Sequence, residues 1–174
     1  MHSHTHFLCV LEGKECENTE VNVELDSLDI ALLAELQKDA RTPQATIGSL
    51  IGLSSTAVNR RIRRLTETGV IQRTTAVLAQ ELLGSPLTLV VNIEAVSEQL
   101  DLIDQMEATF ASNPSIQQCY YVTGEWDFVL VVLVKDMAAY DRLTRELFFP
   151  NNNVKRFKSL VVMRRTKVSL DVNL

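Results

Sequence analysis

The sequence has few of the residues on which most enzymes and metal sites depend. All three histidines stand within the first six of its 174 residues, and its three cysteines form no CxxC pair. The rest of the sequence has no glycine-rich phosphate loop and no run of metal-ligand residues. These absences disfavour acid–base, nucleophilic and metal-assisted catalysis. We therefore expect no catalytic residue, no metal and no cofactor.

The cysteines and the apolar runs of the sequence indicate the cellular compartment. The odd set Cys9, Cys16 and Cys119 does not form a disulfide framework. The apolar run at residues 7–11 is too short for a secretory signal and has no basic start. The run at residues 128–134 is a strand's length, well below the roughly 18 residues that cross a bilayer. We expect a reduced, cytoplasmic protein with no membrane partner.

Charge is spread unevenly along the chain. The formal net charge is −5, but residues 25–75 carry seven Lys or Arg against five Asp or Glu, and the window from Arg41 to Thr66 holds five arginines and no carboxylate. Long-range attraction to a polyanion would be modest in a chain that is acidic overall. Binding to one would have to rely on this local patch and on several copies of it.

Residues 1–24 are interpreted as a flexible N-terminal extension. The segment holds five glutamates and no sustained apolar periodicity, and a helix-start signal begins abruptly at Asp26. His2, His4 and His6 would lie on one side of an extended strand, so a metal site is an alternative. A tag-like or disordered segment agrees better with the composition.

Three helices are predicted within residues 25–75. The first has Asp26 as its N-cap and ends near Lys38, and the second follows Pro43. Gly48 in the second helix would leave room for a neighbouring helix, and the third helix is capped by Ser54 after a glycine turn. Residues 70–77 are rich in β-formers and predict a short wing. Residues 76–85 are expected to form a linker.

The third predicted helix has a buried face and a basic exposed face. Val58, Ile62 and Leu65 recur at spacings of four and three and predict the buried face. A tight turn between two such helices is typical of a helix-turn-helix, whose last helix enters the major groove of DNA. The candidate DNA-binding residues are Ser54, Ser55, Thr56, Asn59, Arg60, Arg61, Arg63 and Arg64.

The chemistry of this helix matches double-stranded DNA. Asn59 can make a bidentate contact to adenine and an arginine a bidentate contact to guanine, while the remaining arginines suit phosphates. The alternative is a solvated charged surface, which is the usual role of a charge run taken alone. The cap, the turn glycine, the apolar spacing and the acid-free window coincide here and favour DNA binding.

Residues 86–174 predict the element order βαββαβ. Strands are expected at residues 87–93, 116–123, 128–134 and about 154–167, with one helix after Ser97 and another capped by Asp136. This order is typical of a ferredoxin-like sandwich, so the fold class is α+β. The sheet face away from the helices would carry apolar side chains and is predicted to form a homodimer. Its members are Val131, Leu133, Leu160 and Val162.

The connection before the third strand has a composition suited to a small zwitterion. Gly124 can adopt positive φ and free backbone N–H groups for a carboxylate, and Asp127 can accept from an ammonium group. Those are the two charged ends of an amino acid. The alternative is an ordinary hairpin whose aspartate caps a strand.

These motifs together resemble the Lrp/AsnC (leucine-responsive, feast/famine) family of transcriptional regulators. The resemblance covers residues 25 to about 170, and it is specific because the motifs keep their order and spacing. Its elements are Leu25-Asp26-x-x-Asp29, Gly52-Leu53-Ser54, Arg61-Ile62-Arg63-Arg64-Leu65, Gly69-Val70-Ile71 and Gly124-Glu125-Trp126-Asp127.

The resemblance implies a winged helix-turn-helix, a hinge strand at about residues 73–78 that pairs between subunits, and an amino-acid-sensing (RAM/ACT-like) sandwich. It also implies dimers that often assemble into octamers. The effector loop of the family would lie at residues Thr123, Gly124, Glu125, Trp126 and Asp127. Glu125 and Trp126 stand where the family commonly has an aspartate and a tyrosine or phenylalanine, which conserves charge and aromaticity and can resize the pocket.

Three functions follow from these features. The leading one is a sequence-specific DNA-binding regulator that is modulated by a small amino-acid effector. The second is a nucleoid-type architectural protein that wraps DNA with little sequence preference. The third is an enzyme of amino-acid metabolism with a regulatory sandwich, which the scarcity of catalytic residue types disfavours.

Overall fold

The structure is a computed structural model that describes residues 23–84 and 86–174. The predictions for the N-terminal histidines and for two of the cysteines lie outside the described residues. The chain divides into two compact units. The helical unit comprises the described residues up to Val77 together with Val168–Leu174, and the sandwich unit comprises Leu78–Lys167.

The helical unit contains the three predicted helices. Asp26 caps the first helix through a capping box: its side chain accepts from the backbone N–H of Asp29, whose side chain accepts from the backbone N–H of Asp26. Five buried apolar side chains form the core between the helices: Leu32, Leu33, Ile47, Val58 and Leu65. The helices are α1 Ser27–Lys38, α2 Gln44–Ile51 and α3 Ser55–Glu67.

The turn between α2 and α3 depends on two glycines. Gly52 ends α2 with φ +74°, a conformation that favours glycine. A Cβ atom on Gly48 would lie 2.3 Å from the backbone oxygen of Leu53. The close approach predicted at Gly48 is therefore present, and the neighbour is the turn that leads into the N-cap of α3. The turn folds back tightly enough to set the start of α3.

The predicted wing at residues 70–77 is not a strand in the described chain. Val70 and Ile71 pack against the helical core, and the backbone N–H of Ile71 donates to Leu65. Residues 72–79 follow without strand pairing, and a short 3₁₀ helix runs from Gln80 to Leu83. A strand exists only where a second strand accepts its hydrogen bonds, and a single chain offers none here.

The sandwich unit has the predicted order βαββαβ. Its antiparallel sheet has the strand order β2-β3-β1-β4, and both helices are confirmed with the predicted stop at Asn113 and the predicted cap at Asp136. The elements are β1 Leu87–Ala95, α4 Leu100–Ser112, β2 Ile116–Tyr121, β3 Phe128–Val134, α5 Met137–Leu147 and β4 Val154–Val161.

The last strand is shorter than predicted, because it ends at Val161 rather than near Lys167. Leu89 of β1 pairs with Val161, and the backbone N–H of Val162 still donates to Thr88. Since β1 begins at Leu87, the partner strand runs out just beyond this point. Strand length is therefore set by the neighbour and not by the composition of β4.

One face of the sheet is packed against the two helices, and the other is open. The face against α4 and α5 carries a core in which the Phe110 ring meets the rings of Phe128 and Phe148 at 5.4 and 6.0 Å between centroids. On the opposite, open face Val131 is half-buried and Leu160 is 45% exposed, and both flank Val90 in the strand register. In the described residues, no helix is long and apolar enough to cross a bilayer.

Candidate nucleic-acid interface and effector loop

The N-terminus of α3 is presented to solvent. The Ser54 hydroxyl oxygen accepts from the backbone N–H of Ala57 at 3.2 Å and caps the helix. Ser55 and Thr56 are exposed in the first turn, where backbone N–H groups and the helix dipole favour an anion such as a phosphate. This end of the helix is suited to meet the DNA backbone.

Four exposed side chains follow along one side of α3, and we refer to them as the recognition face. They recur at spacings of three and four, opposite the buried Val58 and Leu65. Their chemistry includes one amide and two guanidinium groups, which are the groups best able to read adenine and guanine edges. The members of the recognition face are Thr56, Asn59, Arg60 and Arg63.

The two arginines of the recognition face differ in their partners. Arg63 Nε donates to Glu67 Oε1 at 2.7 Å, and both side chains are more than half exposed. The hydrogen bond that Arg63 donates to the Glu67 carboxylate raises the pKa of Arg63. Within residues 23–84 and 86–174, no carboxylate pairs with Arg60. Arg60 is thus the arginine of this face that is most available to a ligand.

Arg61 and Arg64 point to a different place, the start of α1. Arg61 Nη1 donates to both Asp26 oxygens at 2.9 and 2.8 Å and to Asp29 Oδ1 at 2.7 Å, while Arg64 Nη2 donates to Asp29 Oδ2. The Asp29 side chain is fully buried, and Arg61 is 19% exposed. These four residues, the Asp29 cluster, fasten α1 to the side of α3.

The charges in the Asp29 cluster stabilise one another. Burial raises the pKa of Asp29, but the hydrogen bonds from Arg61, from the backbone N–H of Asp26 and from Arg64 outweigh it, so its pKa lies below the ordinary value. The hydrogen bond from Arg61 likewise lowers the pKa of Asp26. Asp29 is therefore a carboxylate at neutral pH, and the guanidinium groups of Arg61 and Arg64 are already hydrogen-bonded to it.

Sequence reasoning placed Asp29 only in the first turn of α1 and did not connect it to α3. The sequence from Arg41 to Thr66 contains no carboxylate, but the folded structure places two aspartates at the start of α1 beside these arginines. The two aspartates lie about 35 residues earlier in the chain. An aspartate at an apolar-spaced position of an otherwise amphipathic helix was the available signal. Such a residue needs a buried partner.

The loop at residues 122–127 closes tightly onto the end of β1. Gly124 has φ +127°, and a Cβ atom there would meet nothing within 4 Å. The backbone N–H of Asp127 donates to the carbonyl of Ile93, and Asp127 Oδ2 accepts from the backbone N–H of Ala95 at 2.7 Å. Asp127 therefore does cap a strand, as the alternative interpretation predicted, with one of its two carboxylate oxygens.

Most residues of the candidate effector loop, residues 123–127, are exposed. Thr123, Gly124 and Glu125 are exposed, and Trp126 is half-buried. Glu125 and Trp126 both contact Arg156 of β4, a residue that sequence reasoning did not associate with the loop. No group of three or more potential metal ligands occurs among the described residues.

Comparisons with known proteins match both units. Residues 25–66 match the model of the AsnC-type helix-turn-helix domain, and residues 88–172 match the model of the Lrp/AsnC ligand binding domain. An HTH-type transcriptional regulator of Sinorhizobium fredii is 37% identical over 150 residues, which cover 86% of this chain and 89% of that protein.

Solved structures have the same fold. An AsnC family transcriptional regulator from Agrobacterium tumefaciens superposes with a TM-score of 0.80 at 28% identity, over 86% of this chain and 97% of the other. A feast or famine regulatory protein from M. tuberculosis, solved in complex with L-methionine, superposes with a TM-score of 0.77 at 29% identity. That superposition covers 86% of this chain and 99% of the M. tuberculosis protein.

Proposed function

The chain belongs to the Lrp/AsnC family of transcriptional regulators, and on that premise we propose that the recognition face of α3 reads DNA under the control of an amino acid bound at the effector loop. The family resemblance expected from the sequence motifs is thus confirmed. The single observation on which the proposal rests is that the polar side chains of α3 form two groups. Asn59 and Arg60 are exposed, whereas Arg61 and Arg64 are hydrogen-bonded to Asp29. Its relatives are transcriptional regulators, and we assign the chain no catalytic role.

Each α3 side chain has a distinct role in this proposal. Asn59 and Arg60 contact base edges, because they are exposed and lie within the first half of the helix. Ser54, Ser55 and Thr56 meet a phosphate at the helix N-terminus, and Arg63 contacts the DNA backbone. Arg61 and Arg64 orient the helix through Asp29 rather than reading bases.

Selection of duplexes from a random pool tests the assignment of Asn59. The wild-type protein should enrich a defined palindrome, and Asn59→Ala should relax the preference at one base position of each half-site. Gln105→Ala, which removes an exposed amide from α4, should leave the selected sequence unchanged. Uniform footprints with a steep salt dependence and no enriched sequence would instead support the architectural function.

Dimerisation through the open face would supply the second recognition helix. Half-buried Val131 and Leu133 and exposed Leu160 form an apolar surface on this face. A dimer has two α3 helices, as binding to successive major grooves roughly 34 Å apart requires. Octamers, as the family resemblance implies, would be built from such dimers.

Light scattering tests the dimer. The wild-type protein should have a mass that is an even multiple of the 19.5 kDa chain, and Leu160→Glu should lower it to that of one chain, because the charge would be buried in the interface. Leu100→Glu changes a leucine that is 80% exposed on α4 and should retain the wild-type mass. An unchanged mass for Leu160→Glu would place the interface elsewhere.

An L-amino acid is the proposed ligand of the effector loop. Backbone N–H groups beside Gly124 suit its carboxylate, and the second oxygen of Asp127 suits its ammonium group, since the first accepts from Ala95. L-Methionine is the first probe, because it is bound in the M. tuberculosis relative. Screening all twenty amino acids by thermal shift then identifies the preferred one.

Asp127→Asn separates ligand binding from the structural role of this residue. The amide oxygen can still accept from Ala95, so the loop should keep its shape while the attraction to an ammonium group is lost. We expect at least a tenfold loss of calorimetric affinity for the preferred amino acid, with DNA affinity unchanged in its absence. Undiminished amino-acid binding by this variant would contradict the assignment.

A further inference from the structure

Arg156 on β4 reaches across the end of β1 to the effector loop. Its neighbour in the β1–β4 register is Glu94, and its Nε donates to Glu94 Oε2. Its Nη2 donates to Glu125 Oε1 at 3.1 Å, and its guanidinium carbon lies 4.6 Å from the centroid of the Trp126 ring. One side chain therefore connects two strands of the sheet to two residues of the loop.

These contacts require a guanidinium group rather than a positive charge alone. A planar fork can donate to two carboxylates while its face lies against an indole ring, whereas a lysine ammonium group has neither a planar face nor donors on separate nitrogens. The contacts also fix two neighbouring loop residues at the same time. Arg156 consequently contacts the side chains of Trp126 and Glu125 at the same time.

The anchor of this arrangement on β1 is itself well held. Lys155 also donates to Glu94, and the hydrogen bonds from Lys155 and Arg156 lower the pKa of Glu94 below its ordinary value. The Glu94 side chain is 18% exposed. Glu94 is therefore charged at neutral pH and gives Arg156 a fixed point on the sheet.

The backbone on either side of Glu94 holds the other end of the loop. The carbonyl of Ile93 accepts from the backbone N–H of Asp127, and the N–H of Ala95 donates to the Asp127 carboxylate. Three consecutive residues of β1 thus secure residues 125–127: two through the backbone of β1, and Glu94 through Arg156. Only the segment around Gly124 is left without such an attachment among the described residues.

We propose that Arg156 is a positioning residue for the amino-acid effector. By holding Glu125 and Trp126 against the sheet, it keeps the loop in the shape that leaves the Gly124 backbone and the second Asp127 oxygen open to a ligand. The proposal rests on the proposed function of the loop and adds a residue from a distant strand to it. Because Arg156 already orders the loop, ligand binding would lose less conformational entropy than it would with a mobile loop.

The first test uses Trp126, the single tryptophan of the chain. Arg156→Ala should uncover the indole ring, so we expect the acrylamide quenching constant of its fluorescence to rise about twofold, with a smaller rise for Arg156→Lys. Arg145→Ala is the matched control, because it also removes an exposed arginine from a carboxylate partner, Asp141 on α5. Equal quenching in the wild-type protein and Arg156→Ala would overturn the proposal without reference to any ligand.

The second test measures L-methionine binding by calorimetry on the full-length protein. Arg156→Ala should weaken binding at least about tenfold, Arg156→Lys should weaken it less, and Arg145→Ala should match the wild-type protein. Undiminished binding by Arg156→Ala would overturn the positioning role. If the wild-type protein bound none of the twenty amino acids, the proposed function would fail instead, and quenching alone would then decide whether Arg156 holds the loop.

Discussion

Each unit of the chain holds an arginine against two carboxylates, and the two clusters lie at different depths. Arg61 is 19% exposed and its partners Asp29 and Asp26 are 0% and 52% exposed, whereas Arg156 is 54% exposed and its partners Glu94 and Glu125 are 18% and 68% exposed. Exposed ion pairs contribute little to stability, whereas a buried charge that loses its partner is costly. We therefore expect the first cluster to support folding and the second to act on loop geometry.

The apolar cores behind the two clusters reinforce this difference. Among the described residues, five buried apolar side chains form the core of the helical unit and fifteen form that of the sandwich unit. A small core supplies little stability beyond the entropy it must offset. The helical unit therefore depends more on the polar contacts that join α1 to α3.

The largest expected effect comes from Asp29→Ala. It removes the partner of two arginines and half of a capping box, so the free energy of unfolding of the helical unit should fall by about 3 kcal/mol. Hydrogen exchange of the α1 and α3 amides, read by mass spectrometry, measures this loss. Glu94→Ala is the matched change in the sandwich unit and should leave the sheet amides protected. If Glu94→Ala reduced amide protection in the sandwich unit as much as Asp29→Ala does in the helical unit, the expected difference between the two clusters would be refuted.

A second prediction concerns acid. Because the pKa of Asp29 is lowered in the folded state, its contribution is fully present above the unfolded value of about 3.9 and is lost as pH falls through the lower native pKa. The helical unit should thus lose protection below about pH 4. Asp29→Asn should start from lower stability and show a shallower pH dependence. An equally steep acid loss in that variant would implicate other carboxylates.

The smallest expected effect concerns the exposed pair of Arg63 and Glu67. Glu67→Ala should raise affinity for DNA by about threefold at low salt, because it removes a negative charge beside the phosphates and frees Arg63. Fluorescence anisotropy with a labelled duplex measures this change. Thermal stability should hardly change, in contrast to Asp29→Ala. A marked loss of stability would mean that the exposed pair supports folding as the buried cluster does.

Much of the fold was predictable because its signals are local. Caps at Asp26, Ser54 and Asp136 and the apolar spacing of α3 placed the helices correctly, and alternation placed β1. The predicted end of β4 was wrong, and no wing strand forms within the described chain, because strand pairing depends on a partner that composition does not show.

The candidate sites were less predictable for the same physical reason. The exposed face of α3 follows from helical periodicity alone. The commitment of Arg61 to Asp29 and the contact of Arg156 with Trp126 join residues 32 and 30 positions apart, and no local pattern encodes them. The specific DNA-binding and effector-binding residues therefore stay predictions until they are measured.

The most direct test of the central claim, that the exposed face of α3 reads DNA, is the affinity of Arg60→Ala for the duplex selected by the wild-type protein. The loss should be about 1 to 3 kcal/mol, with an unchanged melting temperature, because Arg60 pairs with no carboxylate among the described residues. Arg145→Ala, with the same loss of charge, should bind as the wild-type protein does. Wild-type affinity in Arg60→Ala, or an equal loss in Arg145→Ala, would contradict the account.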